Sequence, residues 1–275
     1  MPNYVPYIAL IVLSLAVLIG IFIRTRRFRT FVVYMTFAGM IYVFEIVVVV
    51  ILDAYEYEPR FTSIKYVDNM IGAAVSNTFT IPSIAALISL YRLRFRWIAL
   101  FAIGFGGVEA LFMYLGVYVH HWWRVIYTIA SLFFYFSLTK WWFGKFLAGS
   151  RPIRAVSSYV YTMALVLTFM LSLILFGLRR FELGLFSDNY RDDIFFSSLY
   201  GAAEALMIAA AIFWLRNWRW LIATAILVIV SQYAMIRSDV LRVFVPMPLY
   251  VLIYFACCCL VIWLCYLARR SVEAM

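Results

Sequence analysis

The sequence predicts an all-α polytopic membrane protein, a bundle of about nine transmembrane helices. Of the 275 residues, 67% are apolar and only 13% are charged, whereas soluble domains are about 45–50% apolar and about 25% charged. The apolar residues form stretches of about 20, the length that crosses a bilayer, and the basic residues gather on alternate connections. This composition excludes an ordinary soluble domain, a disordered chain and a nucleic-acid-binding domain.

The predicted spans leave little room for anything else. In chain order they are residues 4–23, 30–52, 69–91, 97–118, 125–145, 156–178, 194–215, 219–236 and 248–267. The connections between them are short, so residues 1–275 are predicted to form a single transmembrane domain. It divides into an extra N-terminal span (1–29), a first half (30–152) and a second half (153–275).

Charge predicts the orientation, because cytoplasmic loops collect Lys and Arg. With the N-terminus outside, the inner segments hold 15 of the 23 basic residues and one acid, Glu273. The flank from Met1 to Tyr7 has no basic residue and arginines follow the first span, the reverse of a signal peptide. We therefore expect an N-out, C-in protein of the cell membrane with an uncleaved first span. Its basic inner face should favour anionic lipids.

The four cysteines, Cys257, Cys258, Cys259 and Cys265, all lie in the last predicted span. Neighbouring helical cysteines point in different directions, so they form neither a zinc site nor a redox pair. We expect no metal and no cofactor. Small-residue seams and aromatic faces in the spans would allow a homo-oligomer.

An internal repeat is one interpretation of two similar segments. Residues 65–70 read Lys-Tyr-Val-Asp-Asn-Met and lead to Arg96-Trp97; residues 189–194 read Asn-Tyr-Arg-Asp-Asp-Ile and lead to Arg219-Trp220. The offset is 124 residues at the start and 123 at the end, which predicts two parallel four-helix units, spans 2–5 and 6–9. The alternatives are a chance likeness between apolar strings, and a register that aligns Gly72 with Gly201.

Several stretches also carry a resemblance to a known family. They are residues 57–61 (Tyr-Glu-Pro-Arg-Phe), residues 67–69 (Val-Asp-Asn), and then Pro82, Glu109 and Trp123. Together they resemble an uncharacterised family of small polytopic membrane proteins from spore-forming Gram-positive bacteria. The resemblance covers roughly residues 30–145, with a weaker copy beyond, and implies a bacterial membrane protein without an assigned activity.

Three carboxylates are predicted within the spans: Glu109 and Glu204 near mid-span, and Glu45 nearer an outer end. A charged group costs about 2.5–3.5 kcal/mol at the bilayer centre and often marks function. No Lys, Arg or His is expected at that depth, so our hypothesis is that Glu109 and Glu204 are protonated part of the time and exchange protons. The alternative is structural, with neutral glutamates that hydrogen-bond neighbouring helices.

The third span is the most polar, with Asn77 and Thr80 near Pro82. Proline removes one helical hydrogen bond, which should free a carbonyl beside Thr78, as in helices that line cavities. A simple helix–helix seam is the alternative. In the repeat register Glu109 aligns with Gln232, so the predicted solute- or proton-binding residues are Glu109, Glu204, Gln232, Asn77, Thr80 and Glu45.

The remaining polar residues do not predict a binding site. His120 and His121 are adjacent and make a poor metal pair, so we expect them in an outer aromatic rim. The outer acids Glu56, Glu58, Asp68, Asp188, Asp192 and Asp193 have no recurring ligand spacing. We therefore interpret them as solvated loop charge rather than as a cation site.

Three functions remain open on this sequence. The first is transport or binding of a small solute or ion at a midplane acidic site. The second is a non-catalytic scaffold, sensor or assembly partner. The third is an intramembrane enzyme, since Asp188-x-x-x-Asp192-Asp193 is similar to the second aspartate-rich motif of intramembrane prenyltransferases. The first motif of those enzymes has no counterpart beyond Asp68, so an enzyme is the least favoured of the three.

Overall fold

A computed structural model describes residues 2–273 and arranges them as nine helices and four short strands. The chain divides into two compact units, Met1–Arg154 and Ala155–Met275. The N-terminal unit holds α1 (Tyr4–Thr25), α2 (Phe28–Ile51), β1 (Tyr55–Tyr57), α3 (Lys65–Leu90), α4 (Phe95–Tyr114), β2 (Tyr118–His120) and α5 (Val125–Leu147). The C-terminal unit holds α6 (Arg151–Leu175, which begins just before the boundary), β3 (Arg179–Phe181), α7 (Asn189–Trp214), α8 (Trp218–Arg237), β4 (Leu241–Val243) and α9 (Met247–Glu273).

The chain is a polytopic membrane protein. Eight of the nine helices in residues 2–273 are long and apolar enough to cross a membrane. The exception is α5, which has 23 residues but carries hydroxyls, tryptophans and two lysines that dilute its apolar character. The expectation of nine spans is thus confirmed for eight, and the fifth predicted span remains a prediction.

Pro82 explains an irregular segment of α3. The stretch Val75–Thr80 just before it is wound as a wider π-helix, a distortion common at functional sites. Because proline has no N–H, the carbonyl of Thr78 loses its helical donor. The Tyr34 hydroxyl donates to this carbonyl instead. The freed carbonyl predicted from the sequence is therefore present, and a neighbouring helix satisfies it.

The core of the N-terminal unit lies where α2, α3, α4 and α5 meet. Phe37, Ala85, Ala102 and Phe136 are almost completely buried there. The Tyr135 hydroxyl donates to the Phe37 carbonyl at 2.8 Å, joining α5 to α2. Alanine on facing helices allows backbones to approach closely, which is how membrane helices associate when burial from water provides no driving force.

In the N-terminal unit, β1 and β2 form an antiparallel ladder that pairs Tyr55 with His120. The loop after β1 folds around Asp68, whose carboxylate accepts the backbone N–H groups of residues 60, 61 and 62 at 2.8, 2.7 and 3.2 Å. The next residue, Asn69, accepts the N–H of Tyr57 at 3.0 Å. One acid and one amide therefore hold the loop and the strand against the start of α3.

The C-terminal unit has a corresponding arrangement, with β3 antiparallel to β4. Asp192 accepts the N–H groups of residues 183, 184 and 185, and Asp193 accepts that of Phe181 at 3.0 Å. Asp68, Asp192 and Asp193 are all buried. Our interpretation of these three as solvated loop charge was wrong, because their carboxylates replace missing backbone partners inside the loops.

Candidate functional site

A cavity of about 260 Å³ lies inside the N-terminal unit. Residues of α1 to α5 and both strands of the β1–β2 ladder line it, and all of them belong to this unit. Its volume is far above what a single water molecule requires. Concave, largely apolar sites with a few converging polar groups are where small molecules bind, so this cavity is the candidate site.

The structure brings four of the six predicted site residues to this cavity. Glu45, Asn77, Thr80 and Glu109 all line it. They come from α2, α3 and α4, so tertiary packing alone brings them together. Thr80 is already engaged, because its hydroxyl donates to the Val75 carbonyl at 3.0 Å and lies 3.1 Å from the Ser14 hydroxyl.

Glu45 and Asn77 form the least satisfied part of the wall. Glu45 is 8% exposed and Asn77 is 3% exposed. The Tyr55 hydroxyl donates to Glu45 Oε2 at 2.9 Å, whereas Glu45 Oε1 and Asn77 Nδ2 complete no hydrogen bond of normal geometry in residues 2–273. The Asn77 amide nevertheless lies close enough to the Glu45 carboxylate to donate a weak hydrogen bond to it, so the two side chains are partners. Buried polar atoms of this kind are costly unless something pairs with them.

Glu109 has a partner that our sequence analysis did not give it. His120 Nε2 lies 2.6 Å from Glu109 Oε1, and both side chains are nearly buried. His120 sits on β2, and Glu109 lies in the last turns of α4, which ends at Tyr114. The expectation that Glu109 has no basic neighbour was therefore wrong. His120 itself lies among the aromatic side chains of the ladder, beside Tyr118.

A group of aromatic side chains forms the wall beside these carboxylates. Tyr55, Tyr57 and Tyr118 project from the ladder, and their ring centroids lie 5.0–5.7 Å apart. Burial in the apolar interior raises the pKa of all three phenols well above the ordinary value, and the negative charge of Glu45 adds to the effect. They therefore remain neutral hydrogen-bond donors at physiological pH.

The other two predicted site residues, Glu204 and Gln232, lie in the C-terminal unit. They line a pocket of about 480 Å³ formed by α7, α8 and α9. Glu204 accepts from the Tyr254 hydroxyl at 2.7 Å and from the Cys258 thiol at 3.7 Å, and Gln232 accepts from the Tyr250 hydroxyl at 3.0 Å. These contacts match the structural role that we had kept as the alternative for the membrane glutamates.

Sequence reasoning missed His120 and the tyrosines as site residues. The alternation Tyr55-Glu56-Tyr57 and Tyr118-Val119-His120 is the period-2 pattern of a strand, which places the outer residues of each triplet on one face. Three residues are too short a run to stand out among apolar helices. The pairing of β1 with β2 joins residues more than 60 positions apart in sequence, and no local sequence pattern predicts it.

Comparison with known proteins adds no assignment. No family model, no curated protein and no solved structure matches this chain. Metal chemistry also lacks a candidate centre: residues 2–273 contain no group of three or more His, Cys, Asp and Glu side chains arranged to hold an ion.

Proposed function

We propose that this membrane protein binds a small solute or ion in the cavity of its N-terminal unit and carries it across the bilayer. One observation supports this above all. Glu45 is a buried acid in the cavity wall that has no basic partner among the described residues, and the buried amide of Asn77 lies beside it. Ionisable groups buried at this depth are expensive and usually functional. The adjacent π-helical turn of α3 gives the wall a segment that can rearrange.

We also propose the N-out, C-in orientation. Pairing of β1 with β2 puts the α2–α3 and α4–α5 connections at one end of the N-terminal unit, and β3–β4 pairing does the same for the α6–α7 and α8–α9 connections. These are the connections poor in net positive charge. The proposal requires α5 to cross the membrane. Its support is that Phe136 and Phe143 pack in the core and Lys140 caps the Leu93 carbonyl.

Duplication of one four-helix unit is a further part of the proposal. Asp68 and Asp192 each accept three loop N–H groups, and Asn69 and Asp193 each accept a strand N–H. The offset between these residues is 124 positions, as in the sequence alignment. This supports that register over the one that aligns Gly72 with Gly201.

A non-catalytic scaffold is the second candidate. The satisfied side chains of Glu204 and Gln232 favour it for the C-terminal unit, because fully bonded polar groups hold helices together without needing a ligand.

Carbodiimide labelling tests the solute-binding proposal. A hydrophobic carbodiimide modifies protonated carboxyls that it reaches through the membrane, and mass spectrometry locates the products. We expect pH-dependent modification of Glu45, whereas Glu273, which is exposed and ion-paired with Arg216 and Arg269, should stay unmodified at neutral pH and is the negative control. Absence of labelling at Glu45 at every pH would contradict an accessible site.

Cysteine accessibility gives a matched check on the same helix. Ser76 lines the cavity, whereas Ser89 is buried away from it. A small membrane-permeant thiol reagent should modify the variant Ser76→Cys much faster than Ser89→Cys, with the four native cysteines replaced by serine. Equal rates at both positions would mean that the cavity is closed to solutes.

A further inference from the structure

The pocket of about 480 Å³ in the C-terminal unit is a groove between two membrane-spanning helices, α8 and α9. Its floor consists of buried side chains from three helices, among them Ile208 of α7, Val228 of α8 and Tyr254 of α9. Its rim consists of lining residues that are more than half exposed: Ile229 and Tyr233 on α8, Val251 and Phe255 on α9. The groove is therefore open along its side.

Hydrocarbon surrounds this groove. Of the 20 residues of α8 only Val228 and Gln232 are buried, and both line the groove. Leu227 and Val230, elsewhere on the same helix, are 53% and 56% exposed. Apolar spans of bilayer length lie in the membrane core, so lipid is the medium at the open side of the groove.

The lining suits a hydrocarbon chain rather than a polar solute. On the floor, Glu204 accepts from the Tyr254 hydroxyl and the Cys258 thiol, and Gln232 accepts from the Tyr250 hydroxyl. Ten of the 17 lining residues are aliphatic, methionine or phenylalanine. A polar ligand would leave its own groups unpaired against this wall, whereas a hydrocarbon chain restores the dispersion contacts that a void forfeits.

The groove is elongated along the helices. Its lining on α8 runs from Leu221 to Ile236, which is about 22 Å of helix at a rise of about 1.5 Å per residue. That length is most of the hydrocarbon core, which is about 30 Å thick. An extended chain lying along the helices contacts the whole lining, whereas a compact molecule would leave much of the groove empty.

An arginine stands at the end of the groove nearest the β3–β4 ladder. Tyr233 lines the groove there, and its hydroxyl accepts from Arg237 Nε at 3.0 Å. The nearby Arg180 and Arg242 both pair with Glu182, whereas Arg237 is exposed and forms no ion pair within residues 2–273. Guanidinium groups are preferred partners of phosphate. We propose that the groove holds one acyl chain of an anionic phospholipid whose phosphate lies against Arg237.

Photocrosslinking tests the position of the acyl chain. The probe is phosphatidylglycerol with a diazirine in one acyl chain, incorporated into nanodiscs that hold the full-length protein, and mass spectrometry locates the products. Ala225 lines the groove, whereas Ala223 is exposed on the same helix and does not line it. Ala225→Trp should fill the groove and lower crosslinking to residues 247–262 at least about fivefold. The matched control Ala223→Trp should leave it unchanged.

A second pair of variants tests the head group. Arg237→Gln removes the charge at the ladder end of α8, and Arg219→Gln, the matched control, removes an exposed charge at its other end. Arg237→Gln should lower labelling by the phosphatidylglycerol probe at least about threefold, since charge-assisted hydrogen bonds are the strong ones. It should also abolish the advantage of this probe over phosphatidylcholine with the same labelled chain. Thermal unfolding of each variant in detergent checks its folding.

The outcomes separate a bound phospholipid from bulk lipid. Equal labelling of the two tryptophan variants would mean that the probe samples the whole lipid-facing surface, which would overturn the site. Equal labelling of the two arginine variants, or displacement of the probe by a free fatty acid, would overturn the phospholipid and its phosphate contact. These results concern the C-terminal unit alone, so the solute-binding cavity of the N-terminal unit is tested separately.

Discussion

In both units a strand N–H donates to a side chain near the start of the following helix, but the acceptor is an amide in one unit and a carboxylate in the other. In the N-terminal unit the neutral amide of Asn69 accepts the N–H of Tyr57. In the C-terminal unit a carboxylate, that of Asp193, accepts the N–H of Phe181. The Asp193 side chain also bonds the Arg179 guanidinium at 2.9 Å, and both side chains are 1% exposed.

The difference shows what one extra charge requires. An amide satisfies a strand N–H and needs nothing more, whereas a buried carboxylate needs a cation beside it. Arg179 supplies that cation, and its guanidinium also lies 4.4 Å from the centre of the Phe181 ring and contacts the Ser197 hydroxyl. An arginine that the sequence places in a loop is therefore among the most buried side chains of the structure.

Breaking this pair should have the largest effect. Arg179→Met leaves the Asp193 charge buried and uncompensated, so we expect the C-terminal ladder to lose about 3–5 kcal/mol. Hydrogen–deuterium exchange of peptides that contain β3 and β4 measures the local opening free energy. Peptides from β1 and β2 are the internal control and should exchange as before.

The double variant Arg179→Met with Asp193→Asn removes both charges of the buried pair. It imitates the neutral arrangement of the N-terminal unit, and replacing a buried ion pair by uncharged residues is often neutral. We expect protection of β3 and β4 to return close to that of the native chain. Equal losses in the single and double variants would show that the ion pair itself, rather than the uncompensated charge, provides the stability.

The two loop aspartates should respond alike. Asp68→Asn and Asp192→Asn each weaken three charge-assisted bonds to backbone N–H groups. We expect each substitution to lower the free energy of opening its own loop by about 1.5–3 kcal/mol. Limited proteolysis measures this effect and should become faster at residues 58–64 for Asp68→Asn or at residues 182–188 for Asp192→Asn. A variant that loosens the other unit's loop instead would contradict a purely local role.

Two of the buried glycines, Gly72 and Gly201, should respond differently to substitution by alanine. A methyl group on Gly72 would overlap Cβ of Tyr57, which is fixed to the β1 backbone, whereas one on Gly201 would meet the flexible end of Leu167 at 2.9 Å. Gly72→Ala should therefore destabilise the protein by about 1–3 kcal/mol and Gly201→Ala by clearly less. Thermal unfolding in detergent compares them, and a larger cost at Gly201 would refute the close approach of α3 to β1.

Alkaline pH should affect the N-terminal ladder first. Burial raises the pKa of Tyr55, Tyr57 and Tyr118 above that of an exposed phenol, so the unfolded state loses these protons at lower pH than the folded one. Stability then falls as the pH rises above about 10. Hydrogen exchange of the β1 and β2 amides at pH 9 and 11 measures this loss of stability, after the rates are corrected for the pH dependence of intrinsic exchange. The β3–β4 ladder has no tyrosine and should change less.

The membrane character, the positions of the helices and the local distortion at Pro82 could all be predicted from the sequence alone. These properties follow from neighbours along the chain: apolar runs of bilayer length and a proline that deprives one carbonyl of its donor. The sequence also identified Glu45, Asn77, Thr80 and Glu109 as polar groups too costly to lie in hydrocarbon without a reason.

Which of those groups meet depends on the packing of distant segments. Glu45 and Asn77 lie on different helices, His120 reaches Glu109 through a three-residue strand, and Arg179 finds Asp193 inside a loop. The same fold placed Glu204 and Gln232 in a pocket of the other unit. Long-range pairing and burial set these contacts, because a polar group in a dry interior is satisfied by whatever partner packing brings within hydrogen-bonding distance.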